Sequence, residues 1–170
     1  MQFQIVDVDV PEVRVPAEAP ADYVSRVAHE KAVAGLQQLS GTADAIVLGA
    51  DTEVVLGEDV FGKPADAILA AEMLRRLGGR SHRVITVVWC VSRGRQECAI
   101  SESVVEFAAL SDASISRYIA TGEPMGRAGA YAIQGRAAAF ISRLSGSYTG
   151  VMGLPVYETA QLLQRFGIVV

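Results

Sequence analysis

The segment over residues 46–56 constrains the fold more than any other part of the chain. It is a short, mainly apolar run, which is typical of a strand buried on both faces. Gly49 and Ala50 take little space near its middle, and Asp51 and Thr52 follow them directly. Because ligands bind at the carboxyl ends of strands in open α/β sheets, the sequence predicts that Asp51 stands where the chemistry takes place.

Lys63 is the next polar residue that the pattern singles out. It follows Gly62 and precedes Pro64, which predicts a stiff loop. An acid at a strand end and a lysine on a returning loop suit a phosphate ester that is bound together with a metal ion. The structural alternative is a buried Asp51 that caps a turn and a Lys63 that simply lies on the surface.

Composition bounds the class of protein. The length of 170 residues predicts one domain over residues 1–170, and 51% hydrophobic with 20% charged residues argues against disorder. A formal net charge of −4 without a basic cluster argues against a nucleic-acid partner. No apolar run is long enough to span a bilayer and no signal-peptide pattern opens the chain, so we expect a cytoplasmic protein with no membrane partner.

The spacing of apolar residues predicts strands and helices that alternate along the chain, and hence an α/β fold. The predicted strands cover residues 3–10, 46–56, 82–91, 97–108 and 140–144, and the predicted helices cover 22–39, 66–77, 112–120 and a last one opened by Pro155. Cys90 and Cys98 flank the turn of the predicted hairpin. We expect both thiols to be reduced, with a hairpin disulfide as the alternative.

Lys31 lies on or beside the apolar stripe of the predicted helix over residues 22–39. Its ammonium group either extends to water or reaches an anion at the rim of a cleft. His29 falls on the polar side of the same helix, so we expect it to be solvated. For His82 we expect a structural hydrogen bond, because no His or Cys lies at metal-ligand spacing nearby.

The passage over residues 126–135 is rich in glycine and alanine. Small residues let the backbone approach a ligand closely. Arg127, Tyr131 and Gln134 add charge, stacking and amide hydrogen bonds to that passage. A tight strand-turn-strand is the structural alternative, and it explains the glycines but not the polar groups.

Seven motifs in this order resemble the Maf family of nucleotide pyrophosphatases. They are GADT at residues 49–52, GKP at 62–64, GRSHRVIT at 79–86, TGEP at 121–124, AGAYAIQG at 128–135, GSY at 146–148 and VMGLP at 151–155. The resemblance implies a mixed twisted sheet flanked by helices, as in the related inosine-triphosphate pyrophosphatases. It also implies hydrolysis of a nucleoside triphosphate to the monophosphate and pyrophosphate.

The resemblance further assigns roles to individual residues. It implies that Asp51 is the proton acceptor and that Glu12, Lys31 and Lys63 line the same pocket. A divalent metal cation, Mg or Mn, is the expected cofactor, with Asp51 and Glu12 as its candidate ligands. A homodimer is compatible with the resemblance.

Two positions bear on the substrate. Thr52 and Gln134 match the branch that looks like dTTP/UTP pyrophosphatases, whereas the branch acting on 7-methyl-GTP carries other residues at both places. A pyrimidine triphosphate is therefore the expected substrate.

The chain also departs from the family pattern. Glu53 stands where an apolar residue is common, and a strand with a Ser-x-Ser-Pro-Arg-Arg loop usually lies upstream of the position of Phe3. We therefore expect a domain that is truncated at its amino terminus relative to the family. A catalytically impaired nucleotide-binding or septum-regulating remnant is the alternative function.

Overall fold

A computed structural model describes residues 3–42 and 44–169. Its five strands form one sheet in the order β2-β1-β3-β4-β5, and every neighbouring pair is antiparallel. The strands are β1 (Val47–Leu56), β2 (Asp59–Phe61), β3 (Ser81–Val91), β4 (Gln96–Phe107) and β5 (Ile141–Ser145). The helices are α1 (Pro20–Gln38), α2 (Ala67–Leu77), α3 (Asp112–Ile119), α4 (Tyr148–Val151) and α5 (Val156–Arg165). The predicted α/β class is confirmed, and the sheet formed by the described residues is antiparallel throughout, whereas the resemblance implied a mixed sheet.

Helices cover both faces of the sheet. Helix α1 packs on one face, where Val24 and Val27 meet Val55 and Ile85. Helices α2 and α3 cover the opposite face around Leu74, Val84 and Phe107, and α5 extends that layer over Val88. Alternate residues of β1 therefore point into two different cores, because successive strand side chains face opposite sides.

Gly49 brings α1 into direct backbone contact with β1. A Cβ at this position would lie 2.5 Å from the carbonyl oxygen of Ala28 and 2.5 Å from the amide nitrogen of Ala32. Helix and strand are therefore closer here than any side chain would permit. Lys31, which lies between these two alanines in the chain, is thereby brought next to β1.

Two sequence predictions and one structural alternative differ from the structure. Residues 3–10 form no strand, although Val6, Val8 and Val10 alternate as half-buried positions, because none of the described strands pairs with this segment. Asp51 does not end its strand, since β1 continues to Leu56 and turns tightly into β2. The strand-turn-strand alternative for residues 126–135 is wrong, because a short 3-10 helix at Ala128–Ala130 lies within this passage and another at Arg136–Phe140 follows it.

The cysteine prediction is confirmed, since both thiols are free. Cys90 pairs with Glu97 and Cys98 pairs with Trp89, so the two side chains point to opposite faces of the hairpin. His29 is less solvated than expected, because its ring stacks edge-on against Trp89 and hydrogen-bonds Gln96. Among the described helices none is both long and apolar enough to cross a membrane.

Candidate active site

Four residues from separate parts of the chain form a continuous chain of ion pairs. Lys31 Nζ lies 2.7 Å from Asp51 Oδ1 and 2.6 Å from Glu12 Oε1. Lys63 Nζ lies 2.7 Å from the other oxygen of the same carboxylate, Glu12 Oε2. The structure thus brings together the predicted proton acceptor and the three residues predicted to line its pocket.

Each member of this ion-pair chain is positioned by its own element. Asp51 projects from the middle of β1 on the face that α1 covers, and Lys31 reaches it from α1. Lys63 follows β2 and is held by the buried Pro64. Next to Glu12, the Val13 carbonyl accepts a hydrogen bond from Arg26 of α1, which fixes this irregular segment against the helix.

Burial makes Asp51 more basic than an ordinary carboxylate. Its side chain is 8% exposed, and this burial raises its pKa although the hydrogen bond from Lys31 opposes the shift. Burial also opposes the charge of Lys31, yet its bonds to Asp51 and Glu12 leave its pKa raised. Asp51 Oδ2 is buried and has no hydrogen-bond partner among the described residues. One oxygen of Asp51 is therefore held by a lysine and the other is free to accept a proton.

Glu53 is a site neighbour whose role the sequence did not reveal. It lies two residues after Asp51 on the same face of β1, is 6% exposed, and its Oε2 has no partner within the described part of the chain. Burial, followed by the negative charges of Asp51 and Glu12, raises the pKa of Glu53 to about 8. Its carboxyl group is therefore mostly protonated at neutral pH. The period-two spacing from Asp51 was the signal that could have placed it here.

A cavity of about 200 Å³ borders this ion-pair chain. Asp51 and Lys63 line it on one side, and Thr52 lines it from the opposite face of β1. β2 pairs only with residues Val54 to Leu56 of β1. The cavity lies beside Ala50, Asp51 and Thr52, which precede this pairing, so side chains from both faces of β1 border it. The segment after α3 adds the side chains of Arg127, Tyr131 and Gln134 to the lining. A single ligand can therefore contact both the carboxylate and the two predicted specificity residues.

Thr52, which is half-buried, belongs to a row of hydroxyl groups on its face of the sheet. It pairs in register with Thr86 of β3, and their Oγ1 atoms lie 2.8 Å apart. Thr86 Oγ1 in turn lies 2.7 Å from the carbonyl oxygen of Gly150 in α4. Thr86 is fully buried and was not singled out from the sequence, although it lies in the GRSHRVIT motif.

Glu123 holds the segment that closes the cavity. Its carboxylate accepts hydrogen bonds from the Tyr118 hydroxyl at 2.9 Å and from the backbone N–H groups of Arg136 and Ala137 at 3.0 and 3.3 Å. The two ends of residues 123–137 are thus fastened to one side chain. The TGEP motif contains this glutamate, but nothing in the local sequence indicates its structural role.

His82 makes the structural hydrogen bond that was predicted for it. Its Nε2 lies 2.9 Å from the hydroxyl of Tyr131, and the ring packs edge-on against Phe107. The side chain is 2% exposed, and burial lowers the pKa of His82 to about 4. His82 is therefore neutral in the folded protein at neutral pH and supports Tyr131 from behind the cavity.

Acidification should destabilise the fold through His82. In the unfolded chain His82 binds a proton below about pH 6.5, but in the folded protein it does so only near pH 4. Unfolding is therefore favoured increasingly as the pH falls from 6.5 to 4, by up to about 3 kcal/mol for this residue. Urea unfolding at several pH values should show that the free energy of unfolding decreases less between pH 6.5 and 4 in His82→Gln than in the wild type. An unchanged slope in His82→Gln would contradict the assignment.

Comparisons with known proteins point to one family. A family model described as Maf-like protein matches residues 1–166. A dTTP/UTP pyrophosphatase of Xanthomonas euvesicatoria pv. vesicatoria is 59% identical over 167 residues, which span 97% of this chain and 88% of the relative. A protein of Xylella fastidiosa named nucleoside triphosphate pyrophosphatase is 56% identical over 167 residues, which span 96% of this chain and 87% of the relative.

Proposed function

Because the chain belongs to the Maf family, we propose that it hydrolyses dTTP and UTP to the monophosphate and pyrophosphate. The observation that carries the proposal is the free Oδ2 atom of Asp51, which is buried beside a cavity that Thr52 and Gln134 also line. A relative at 59% identity is named dTTP/UTP pyrophosphatase, and one at 56% identity is named nucleoside triphosphate pyrophosphatase. The proposed enzyme is a hydrolase that cleaves the anhydride bond between the α- and β-phosphates.

Asp51 acts as the general base in this proposal. Its raised pKa and its free oxygen suit a group that positions water and takes up its proton. Lys31 keeps the carboxylate oriented and stays cationic, and Lys63 and Arg127 present positive charge along the cavity. These cations stabilise the negative charge that grows on the phosphate oxygens as the anhydride bond breaks.

A divalent cation is proposed as the cofactor. The fit rests on the carboxylates of Asp51 and Glu12, which lie side by side because both bind Lys31 Nζ. Across residues 3–42 and 44–169 no group of three or more His, Cys, Asp or Glu side chains could hold a metal ion. Mg²⁺ is commonly bound by one or two carboxylates together with substrate phosphates, and this is the set of ligands proposed here. The ion would supply positive charge to the phosphates, with Asp51 and Glu12 as its protein ligands.

The substrate ranking tests the proposed function directly. We expect kcat/KM for dTTP and UTP to exceed that for ATP, GTP and 7-methyl-GTP by roughly 10²-fold or more, because buried polar groups left unpaired by the wrong base reject it strongly. Gln134→Met should reduce turnover of dTTP, since it removes the amide and keeps the length of the side chain. Gln164→Met, on the exposed side of α5, is the matched control. Equal rates across purines and pyrimidines, or a preference for 7-methyl-GTP, would refute the assignment.

A further inference from the structure

The direction of one hydrogen bond in the hydroxyl row is fixed by its neighbour. Thr86 Oγ1 lies 2.7 Å from the carbonyl oxygen of Gly150, which has no hydrogen to offer. Two oxygens at this distance repel each other unless a hydrogen lies between them. Thr86 must therefore donate its hydrogen to Gly150.

The direction of the next hydrogen bond follows. A threonine hydroxyl has one hydrogen, so Thr86 has none left for Thr52, and the 2.8 Å contact between their Oγ1 atoms requires Thr52 to donate. The hydroxyl of Thr52 then retains only lone pairs. Thr52 lines the cavity, so it presents a hydrogen-bond acceptor to whatever binds there.

The carbonyl that sets this direction is itself held in place. Gly150 lies in α4, and its N–H donates to the Ser147 side chain that caps this helix, at 3.0 Å. A Cβ at Gly150 would lie 2.8 Å from Ser101 Oγ, so α4 rests directly on the sheet. The hydroxyl of Ser103 donates to the Ser147 carbonyl and accepts from the Ser147 N–H, which fastens the helix to β4.

We propose that Thr86 is a positioning residue that makes the Thr52 hydroxyl an acceptor, so that the site reads the N3–H group of uracil and thymine and rejects cytosine. The inference rests on the proposed function and deepens it. Uracil and thymine carry a hydrogen on N3, whereas N3 of cytosine carries a lone pair. Thr52 can accept a hydrogen bond from N3–H of uracil or thymine. With cytosine, the Thr52 oxygen and the N3 lone pair are both acceptors, so both groups stay unpaired in a partly buried site.

The test compares dTTP with dCTP in the wild type, Thr86→Val and Thr86→Ser. Valine has the shape of threonine without its hydroxyl, so the Thr52 hydrogen becomes free to turn towards N3 of cytosine. We expect the dTTP to dCTP ratio of kcat/KM to fall about tenfold in Thr86→Val, which corresponds to one neutral hydrogen bond, and to fall mainly through KM. Thr86→Ser should restore the wild-type ratio. Thr159→Val, a buried threonine of α5 outside the cavity lining, controls for a general loss of packing.

The outcomes separate this inference from the proposed function. If the wild type releases pyrophosphate from neither dTTP nor UTP, both are overturned. If the wild type prefers dTTP and Thr86→Val keeps that preference, the inference alone is overturned. If Thr86→Val does not fold, the inference is tested by comparing the turnover of two isomeric substrates, 3-methyl-UTP and 5-methyl-UTP, by the wild type. We expect 3-methyl-UTP, which lacks the N3 hydrogen, to be at least about tenfold worse, and equal turnover of the two would overturn the inference.

Discussion

Replacing Asp51 with asparagine should lower the turnover of dTTP by roughly 10²–10⁴-fold, which is the usual contribution of a positioned general base. Asparagine keeps the shape of the side chain but cannot take up a proton at its amide. The fold should persist, because Lys31 remains paired with Glu12 at 2.6 Å and is not left as an unpaired charge. The effect should fall on kcat, since the missing proton transfer belongs to the transition state.

Asp59→Asn is the matched control for this experiment. Asp59 is an exposed residue of β2 that pairs with Arg76 at the surface, away from the cavity lining. Both variants should be assayed for pyrophosphate release and for thermal melting. The pH profile adds an independent readout. Because burial raises the pKa of Asp51, the wild-type rate should begin to fall on acidification at a higher pH than it would with an ordinary aspartate as the base. The Asp51→Asn variant should lose this decrease at low pH. Near-normal release by a folded Asp51→Asn would remove Asp51 from the mechanism.

Local sequence patterns singled out three of the four residues of the ion-pair chain, and the family resemblance added Glu12. Asp51 and Lys63 were recognisable from an apolar strand and from a stiff Gly-Lys-Pro loop, and both now lie in one ion-pair chain. Lys31 stood out because a charged residue beside an apolar helical stripe needs a partner or water. Helical periodicity alone predicted that the ammonium group extends to water or reaches an anion. In the structure it reaches the carboxylate of Asp51.

The position of Asp51 within the sheet could not be predicted in the same way. The rule that ligands gather at the carboxyl ends of strands applies to parallel sheets, and an apolar run does not reveal how its neighbours are oriented. β1 is paired antiparallel with β2 and β3, and Asp51 lies in the middle of this strand. The cavity reaches it alongside the strand rather than at the strand end.

Residues whose role depends on a distant partner were the ones missed. Thr86 matters because Thr52 pairs with it across the sheet and Gly150 lies above it, and both contacts depend on strand register and helix packing. Glu123 matters because the N–H groups of residues 136 and 137 return to its carboxylate. Period-two alternation predicts which face a residue occupies, but not what that face meets.

Gly49→Ala should damage both stability and activity, although it adds only one methyl group and changes no polar atom. The new Cβ would lie 2.5 Å from the Ala28 carbonyl oxygen, where ordinary contact requires 3.4–4 Å, so α1 and β1 must separate by about 1 Å. Overpacking of this kind typically costs about 1–3 kcal/mol of unfolding free energy, and here the clash is with backbone, which cannot change rotamer.

The same displacement would act on the active site, because Gly49 lies two residues before Asp51 and Ala28 lies three residues before Lys31. Moving helix from strand lengthens the 2.7 Å contact between Lys31 Nζ and Asp51 Oδ1, and a misplacement of about 1 Å can cost roughly 10²-fold in rate. The rate should be measured below the unfolding transition, so that lost stability and lost geometry are separated. Gly94→Ala, in the open β3–β4 turn where a Cβ meets nothing within 4 Å, should leave both quantities near wild type. A Gly49→Ala variant with wild-type melting and turnover would show that the close approach of α1 to β1 does not hold Lys31 against Asp51.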